Sequence, residues 1–257
     1  LAPLVCLAGE PDGPPSGTGD HETAQRLKVM KTMALELDRS MNQLRVDEFE
    51  APYFISYRLV ERESIKVHAR FGALIGNAHK LDREVAVDVR VGSYDFDSHM
   101  EKDDGYFGET GAFQPSSRVP VDGDPTALRT ALWLLTDTAY KDALSSYFRK
   151  KAKKVNQVKK KPIQSFSQEV GHEVYEPEKT LDVDRKAWIE LARHLSAPFK
   201  GEEGVVDGSV VLRGERVRTW LVNSEGSRVI REYVIYSVSI DGVSRAPDGL
   251  FLEQGDT

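Results

Sequence analysis

The chain has almost no cysteine: Cys6 is the single one in 257 residues. That excludes an internal disulfide and any multi-cysteine metal site. It also lacks long apolar runs, none approaching the ~20 residues that a membrane-spanning helix needs. It lacks an excess of positive charge, with a formal net charge of −6 and a pI near 5.6. A global attraction for nucleic acid or an anionic membrane is therefore not expected. What is present is ordinary for a soluble protein, 40% hydrophobic and 30% charged residues. This length suggests one or two domains and suffices for a sizeable core.

The chemical signatures are missing as well. Zinc hydrolases carry two histidines one helical turn apart with a glutamate between them, so that both nitrogens meet one ion. His172-Glu173 begins that pattern, but Val174, Tyr175, Glu176 and Pro177 follow, and the proline opposes a helix. His21-Glu22 fails in the same way, with Gln25 and Arg26 where a histidine is needed. No Gly-x-Ser-x-Gly turn and no Gly-x4-Gly-Lys-Ser/Thr loop occurs. No residue is assigned a catalytic, cofactor-binding or metal-binding role.

Two charged stretches need a separate reading. Asp95, Asp97, Glu101, Asp103 and Asp104 surround His99 in a segment, 93–124, without clear period. Carboxylates there could bind a hard cation, yet EF-hand spacing is absent, and a solvated loop is the competing reading. Arg149, Lys150, Lys151, Lys153, Lys154, Lys159, Lys160 and Lys161 form a basic run. Such a run can neutralise phosphates, but no aromatic residue is interleaved after Phe148. Cations at a helix C-terminus also suit the macrodipole, so a solvated helix end is expected and nucleic acid is not favoured as a partner.

The N-terminus, Leu1 to Gly9, is apolar and starts without methionine. It reads as a signal-peptide remnant with Cys6-Leu7-Ala8 as cleavage site, or as an ordinary apolar terminus. The first reading points to an exported or periplasmic protein, with the cytoplasm as alternative. Residues 10–20 are rich in Gly, Pro, Ser and Asp, so 1–20 is expected to be a disordered linker or remnant. Leu27, Met30, Met33, Ala34, Leu37, Met41 and Leu44 then recur at helical spacing, predicting a helix over 22–44 with Asp20 as N-cap.

The period changes to 2 over 53–60, 65–71 and 85–91, predicting three antiparallel strands with short connections and one buried face. Asp124 and Pro125 open a long helix that should run to about 155. An irregular connector over 163–180 and a helix over 184–197 follow. A second β region comprises a hairpin, 209–212 and 217–223, turning at Gly214, and a strand over 229–240. Clustered strands and separate helices imply an α+β fold: an antiparallel β-meander packed by long amphipathic helices, with a second, C-terminal antiparallel β region. Residues 21–257 are expected to form one α+β domain, with a possible subdivision near 162–182.

Several of these segments, in order, resemble a known family. They are Leu37-Asp38-Arg39-Ser40-Met41, Pro52-Tyr53-Phe54-Ile55-Ser56-Tyr57, Phe71-Gly72-Ala73-Leu74 and Val87-Asp88-Val89-Arg90-Val91-Gly92. Ala131-Leu132-Trp133-Leu134-Leu135-Thr136-Asp137-Thr138-Ala139-Tyr140-Lys141 and Val222-Asn223-Ser224-Glu225-Gly226 complete the set. The set resembles the N-terminal region of the TldD/PmbA-related metallopeptidases, once called modulators of DNA gyrase. The resemblance implies an N-terminal α+β domain and a β-rich zinc domain beyond it. It also implies homo- or hetero-dimers that enclose a chamber acting on unfolded peptides. The family's His-Glu-x-x-x-His zinc motif has no counterpart here, so none of its catalytic residues carries over. Zinc is expected only in a C-terminal domain outside this segment, and the chain alone is expected to be inactive. A stand-alone binding protein without enzymatic activity is the alternative.

Overall fold

The computed structural model describes residues 18–45, 48–99, 115–121, 124–154 and 164–256. The first helix, α1, runs Thr18–Gln43, so it starts before Asp20 rather than after it. Two long strands follow, β1 (Pro52–Arg70) and β2 (Ala73–Val91), then a short β3 (Ser116–Arg118). Next come α2 (Pro125–Lys154), β4 (Glu173–Tyr175) and α3 (Arg185–Ser196). The chain closes with β5 (Val205–Asn223), β6 (Arg228–Arg245) and β7 (Phe251–Asp256). All strands join one sheet in the order β3-β2-β1-β5-β6-β4, and β7 pairs with β6. The fold is α+β, an antiparallel sheet packed by helices, with β4 alone running parallel to its neighbour.

Besides the earlier starts of α1 and of β2, which begins at Ala73 where the expected strand began at 85, three features differ from the sequence expectation. The strands expected at 53–60 and 65–71 are one strand of 19 residues, about 60 Å long at ~3.3 Å per residue. The polar stretch Glu61-Arg62-Glu63-Ser64 looked like a turn because apolar alternation stops there. The period of 2 does not stop; charged side chains replace apolar ones on the inward face. Gly214 likewise lies inside β5 instead of turning a hairpin. A Cβ there would come within 3.0 Å of Leu181 and 3.2 Å of Trp188, so close packing, not a turn, is its purpose. The third difference is β4, a parallel edge strand inside the expected irregular connector.

The true turn of the first hairpin is Phe71-Gly72. Both have positive φ, 50° and 79°, as a tight two-residue hairpin loop requires. The two β regions predicted from the sequence meet because β5 lies beside β1, with Leu59 opposite Trp220 and Val67 opposite Leu212.

One face of the sheet carries all three helices. It is built from odd residues of β1 and β2 and even residues of β5 and β6. Near the β5–β6 turn, α1 and α2 cover Ile55, Tyr57, Leu59, Val87 and Trp220. Met33, Leu132 and Tyr140 descend onto them from the helices. At the far end, α3 places Ala192 on Val67, Ala69, Val210 and Leu212. Each fully buried large apolar side chain contributes roughly 1.5–3 kcal/mol. The two apolar clusters are separated, and what separates them is charged.

Candidate functional site

Across the middle of the covered face, four strands each contribute one acidic or basic side chain in register. Glu61 of β1 stands opposite Arg83 of β2 and Arg218 of β5, and Arg218 stands opposite Glu232 of β6. The row reads Arg83, Glu61, Arg218, Glu232, alternating in sign. Cross-strand neighbours lie about 5 Å apart, within reach of long side chains.

The contacts are direct. Arg83 donates through Nε to Glu61 Oε2 at 3.0 Å, with its terminal nitrogen on the same oxygen. Arg218 donates to Glu232 at 2.7 Å and reaches Glu61 at 3.5 Å. Both guanidinium carbons sit within 6 Å of the Trp220 ring centre, 5.9 Å for Arg83 and 5.7 Å for Arg218.

Helix α1 closes the row from above. Glu22 and Arg26 are four residues apart, so they share one helical face. Glu22 accepts from Arg216 and Arg218, each at 2.9 Å. Arg26 Nε lies 2.9 Å from Glu232, near enough for an ion pair but not aligned as a hydrogen bond. The Arg26 carbonyl accepts from Trp220 Nε1 at 3.1 Å. The connector before α3 adds Glu178, which accepts from Arg218 at 3.2 Å and from Thr23 at 3.3 Å. Glu176 and Lys179 meet Glu232 through backbone and carboxylate bonds.

The electrostatics follow from these contacts. Burial opposes the charge on Arg218, but bonds from Glu232 and Glu22 and the Glu232 and Glu61 charges hold its pKa above the ordinary value. Burial also opposes ionisation of Glu22. Bonds from Arg218 and Glu178, with the Arg216 and Arg218 charges, nevertheless keep Glu22 below the usual carboxylate range. Glu178 goes the other way: burial, then its contact with Glu22, raises it. Every carboxylate here faces a guanidinium, so the cluster balances charge of opposite sign inside the sheet. The hydroxyl bonded to these carboxylates is that of Thr23, which donates to Glu178 at an exposed position.

A second buried polar site centres on Asp97. Its carboxylate accepts from Arg90 at 2.9 Å, Tyr53 at 3.0 Å and the His99 backbone at 2.9 Å. Lys150 lies 3.9 Å away. Burial, then the Asp97 charge, push the Tyr53 phenol up. The acidic stretch weighed as a cation site is thus partly structural: Asp97 is saturated by cations of the protein itself, and Asp95 accepts from Gln164 at 3.2 Å. Glu101, Asp103 and Asp104 lie outside the described residues. Among the described residues, no three His, Cys, Asp or Glu side chains gather as a metal ion would need.

The remaining candidates are scattered. His172 and Glu173 sit where β4 begins, in an extended segment and not on a helix. His21 falls in α1, and its neighbour Glu22 joins the charged row. Of the basic run, Lys150 donates to the His99 carbonyl at 2.9 Å and lies over Phe96, while Lys151 lies over Tyr147. Lys159, Lys160, Lys161 and Cys6 are outside the described residues. Among the described residues no helix is long and apolar enough to cross a membrane.

The segments that carry the family resemblance do converge. Tyr57 Oη hydrogen-bonds Ser40 Oγ at 3.0 Å and Thr136 Oγ1 at 2.9 Å, in the core. The Ile55 N–H donates to Ser224 Oγ at 3.1 Å, and the Ser224 N–H returns a bond to the Ile55 carbonyl at 2.9 Å. Four of the quoted segments are joined by these bonds. Outside the core, α2 leaves Trp133 and Leu134 about half exposed, and Leu134 lines a cleft of about 510 Å³ with Val119, Pro120, Ala131 and Leu135.

No protein-family model matches the chain, and no curated protein matches its sequence. Solved structures do. A candidate modulator of DNA gyrase from Thermotoga maritima superposes with a TM-score of 0.43 at 13% identity, over 87% of this chain and 42% of its own. A candidate modulator of DNA gyrase from Bacteroides thetaiotaomicron gives 0.49 at 12% identity, over 88% and 43%. TldE from Thermococcus kodakarensis gives 0.46 at 10% identity, over 87% and 42%. The chain therefore spans well under half the length of each of these proteins.

Proposed function

We propose that the chain is a non-catalytic N-terminal module of a TldD/PmbA-like zinc metallopeptidase. Its work is to make dimer contacts and to wall off a chamber that handles peptides. The observation that carries this reading is the network joining Ser40, Tyr57 and Thr136, one residue from each of three segments that resemble the family. Those residues hold helices to sheet and touch no reactive group, so the shared features are those of a scaffold. The half-exposed Trp133 and Leu134 on α2 supply apolar surface for a partner subunit. Zinc, in this reading, belongs to a domain outside these residues.

The test is a cleavage assay on the purified chain. An unstructured fluorogenic peptide is incubated with it, with and without added zinc, and bound zinc is counted by mass spectrometry. The reading expects neither cleavage nor stoichiometric zinc. Zinc-dependent turnover by this chain would overturn it.

A second reading, a stand-alone exported binding protein, is favoured by the exposed apolar residues Tyr233, Ile235, Tyr236 and Val238 on β6. The reading frame separates the two. Continuation past Thr257 into a His-Glu-x-x-x-His segment supports the first; a stop codon there supports the second.

A further inference from the structure

The outer edge of β6 is paired at both ends and open between them. β4 pairs with Arg228, Val229 and Ile230, and β7 pairs from Ile240 to Arg245. Among the described residues no strand pairs with the stretch 231–239 on that side.

The bonds at either end decide which backbone groups face this gap. In the turn joining β5 and β6, the Asn223 N–H bonds to the Ser227 carbonyl at 3.1 Å, so odd residues of β6 face β5. Even residues face outward. The Arg228 N–H donates to the His172 carbonyl at 2.8 Å, and the Ile230 carbonyl accepts from the Glu176 N–H at 3.0 Å. Beyond β7's pairing, the Ala246 N–H bonds to the Leu250 carbonyl at 2.8 Å with the same parity. The β5–β6 register is regular from Val222↔Arg228 to Asp207↔Val243, and its irregularity, between Val205 and Asp207, lies beyond the gap. Val234, Tyr236 and Val238 therefore direct their N–H and C=O groups into the gap. The preceding outward N–H, that of Glu232, is capped by the Glu176 carboxylate at 2.9 Å, which stands where a strand carbonyl would.

The side chains around the gap are apolar on both faces of the sheet. Tyr233 and Ile235 lie on one face and Tyr236 and Val238 on the other, each about half exposed. From 233 to 239 there is no charged residue and no proline. Natural edges are usually blunted by lysine, proline or a bulge. This one is not, and its register is regular.

We propose that the gap accepts one extended, uncharged segment of a partner polypeptide as an added strand. Main-chain bonds to Val234, Tyr236 and Val238 would supply affinity, and alternate side chains would pack on the two apolar pairs. The closed ends set the length, at most the seven residues facing 233–239. They also exclude symmetric pairing of β6 with a second copy. Pairing about Tyr236 would lay residues 240–244 of the copy against 228–232, where β4 already lies. This inference stands on the edge geometry and is independent of the metallopeptidase reading.

The experiment uses the full chain and a capped heptapeptide, Thr-Val-Thr-Tyr-Thr-Val-Thr, with a fluorescent label. A second peptide is N-methylated at every residue, so that neither of its edges can donate, and cannot pair as a strand. Saturable anisotropy is expected with the first, and at least about tenfold weaker binding with the second (roughly 1.4 kcal/mol). Hydrogen exchange at the Val234, Tyr236 and Val238 amides should slow when the first peptide binds. Val238→Pro removes an outward N–H without breaking the β5 ladder, as proline on an edge permits, and should weaken binding by a similar factor. Ile235→Lys keeps the test valid if the proline variant does not fold. Equal binding of both peptides, protection elsewhere on the chain, or no saturation up to about 1 mM would overturn the proposal.

Discussion

Arg218 donates to Glu232 across two adjacent strands at 2.7 Å, and both side chains are almost completely removed from water. They are two members of the charged row that separates the apolar cluster under α1 and α2 from the one under α3. A row of this kind is costly to desolvate, so its contribution is geometric as much as energetic. It admits only the strand register in which opposite charges meet.

Removing one member should therefore be far worse than removing all. Arg218→Met leaves Glu232 buried without its shortest hydrogen bond and Glu61 with Arg83 alone, and should cost about 3–5 kcal/mol in urea denaturation. Replacing Arg83, Glu61, Arg218 and Glu232 together by aliphatic residues of similar volume should cost much less than the sum of the single changes. If Arg218→Met costs under about 1 kcal/mol, the row is not a coupled unit.

Tyr57→Phe probes the bond network that joins α1, β1 and α2. The change deletes one hydroxyl and leaves Ser40 and Thr136 without a shared partner. A loss of about 1–2 kcal/mol is expected. A double-mutant cycle with Ser40→Ala should show coupling, because the two hydroxyls are in direct contact. Strictly additive losses would contradict the network.

The Glu22 and Glu178 pair should impose opposite pH dependences. Glu178 has its pKa raised, so the folded state holds its proton more tightly than the unfolded state does. Its ionisation costs stability as pH rises from about 4.5 through the folded pKa, and the whole cost is present above that. Glu178→Gln should gain on the parent protein between about pH 4.5 and 7, by at most about 1 kcal/mol. Glu22 has its pKa lowered, so its contribution is present above about 4.5 and is lost as pH falls through the depressed value. Glu22→Gln should lose stability at neutral pH, and the loss should vanish in acid. Thermal unfolding of both variants across pH 3–8 reads the signs directly.

The helices were the most legible part of the sequence. Asp124 with Pro125 marked the start of α2, and Asp184 caps α3 by accepting from the Lys186 and Ala187 N–H groups. Local signals of this kind act within one turn and survive in any tertiary setting. The long strands were harder. β1 was split at Glu61-Arg62-Glu63-Ser64 because burial of charge is not expected from sequence. The one available signal was that odd positions continue from Leu59 through Glu61 and Glu63 to Ile65 without a change of parity. The charged row itself was invisible, since its partners lie far apart along the chain: 22 positions separate Arg83 from Glu61, and 157 separate Arg218 from Glu61.

The sequence by itself determined the fold class, three helices in their places, and the absence of a complete zinc helix, phosphate loop or nucleophile elbow. These follow from periodicity and spacing, which are local. Tertiary structure alone decided that the two β regions form one sheet and that β5 lies beside β1. It also decided that Glu22, Glu61, Arg218 and Glu232 meet, and that β6 keeps an open stretch of edge. Those outcomes depend on register between distant strands, and register is set by which side chains can be buried together.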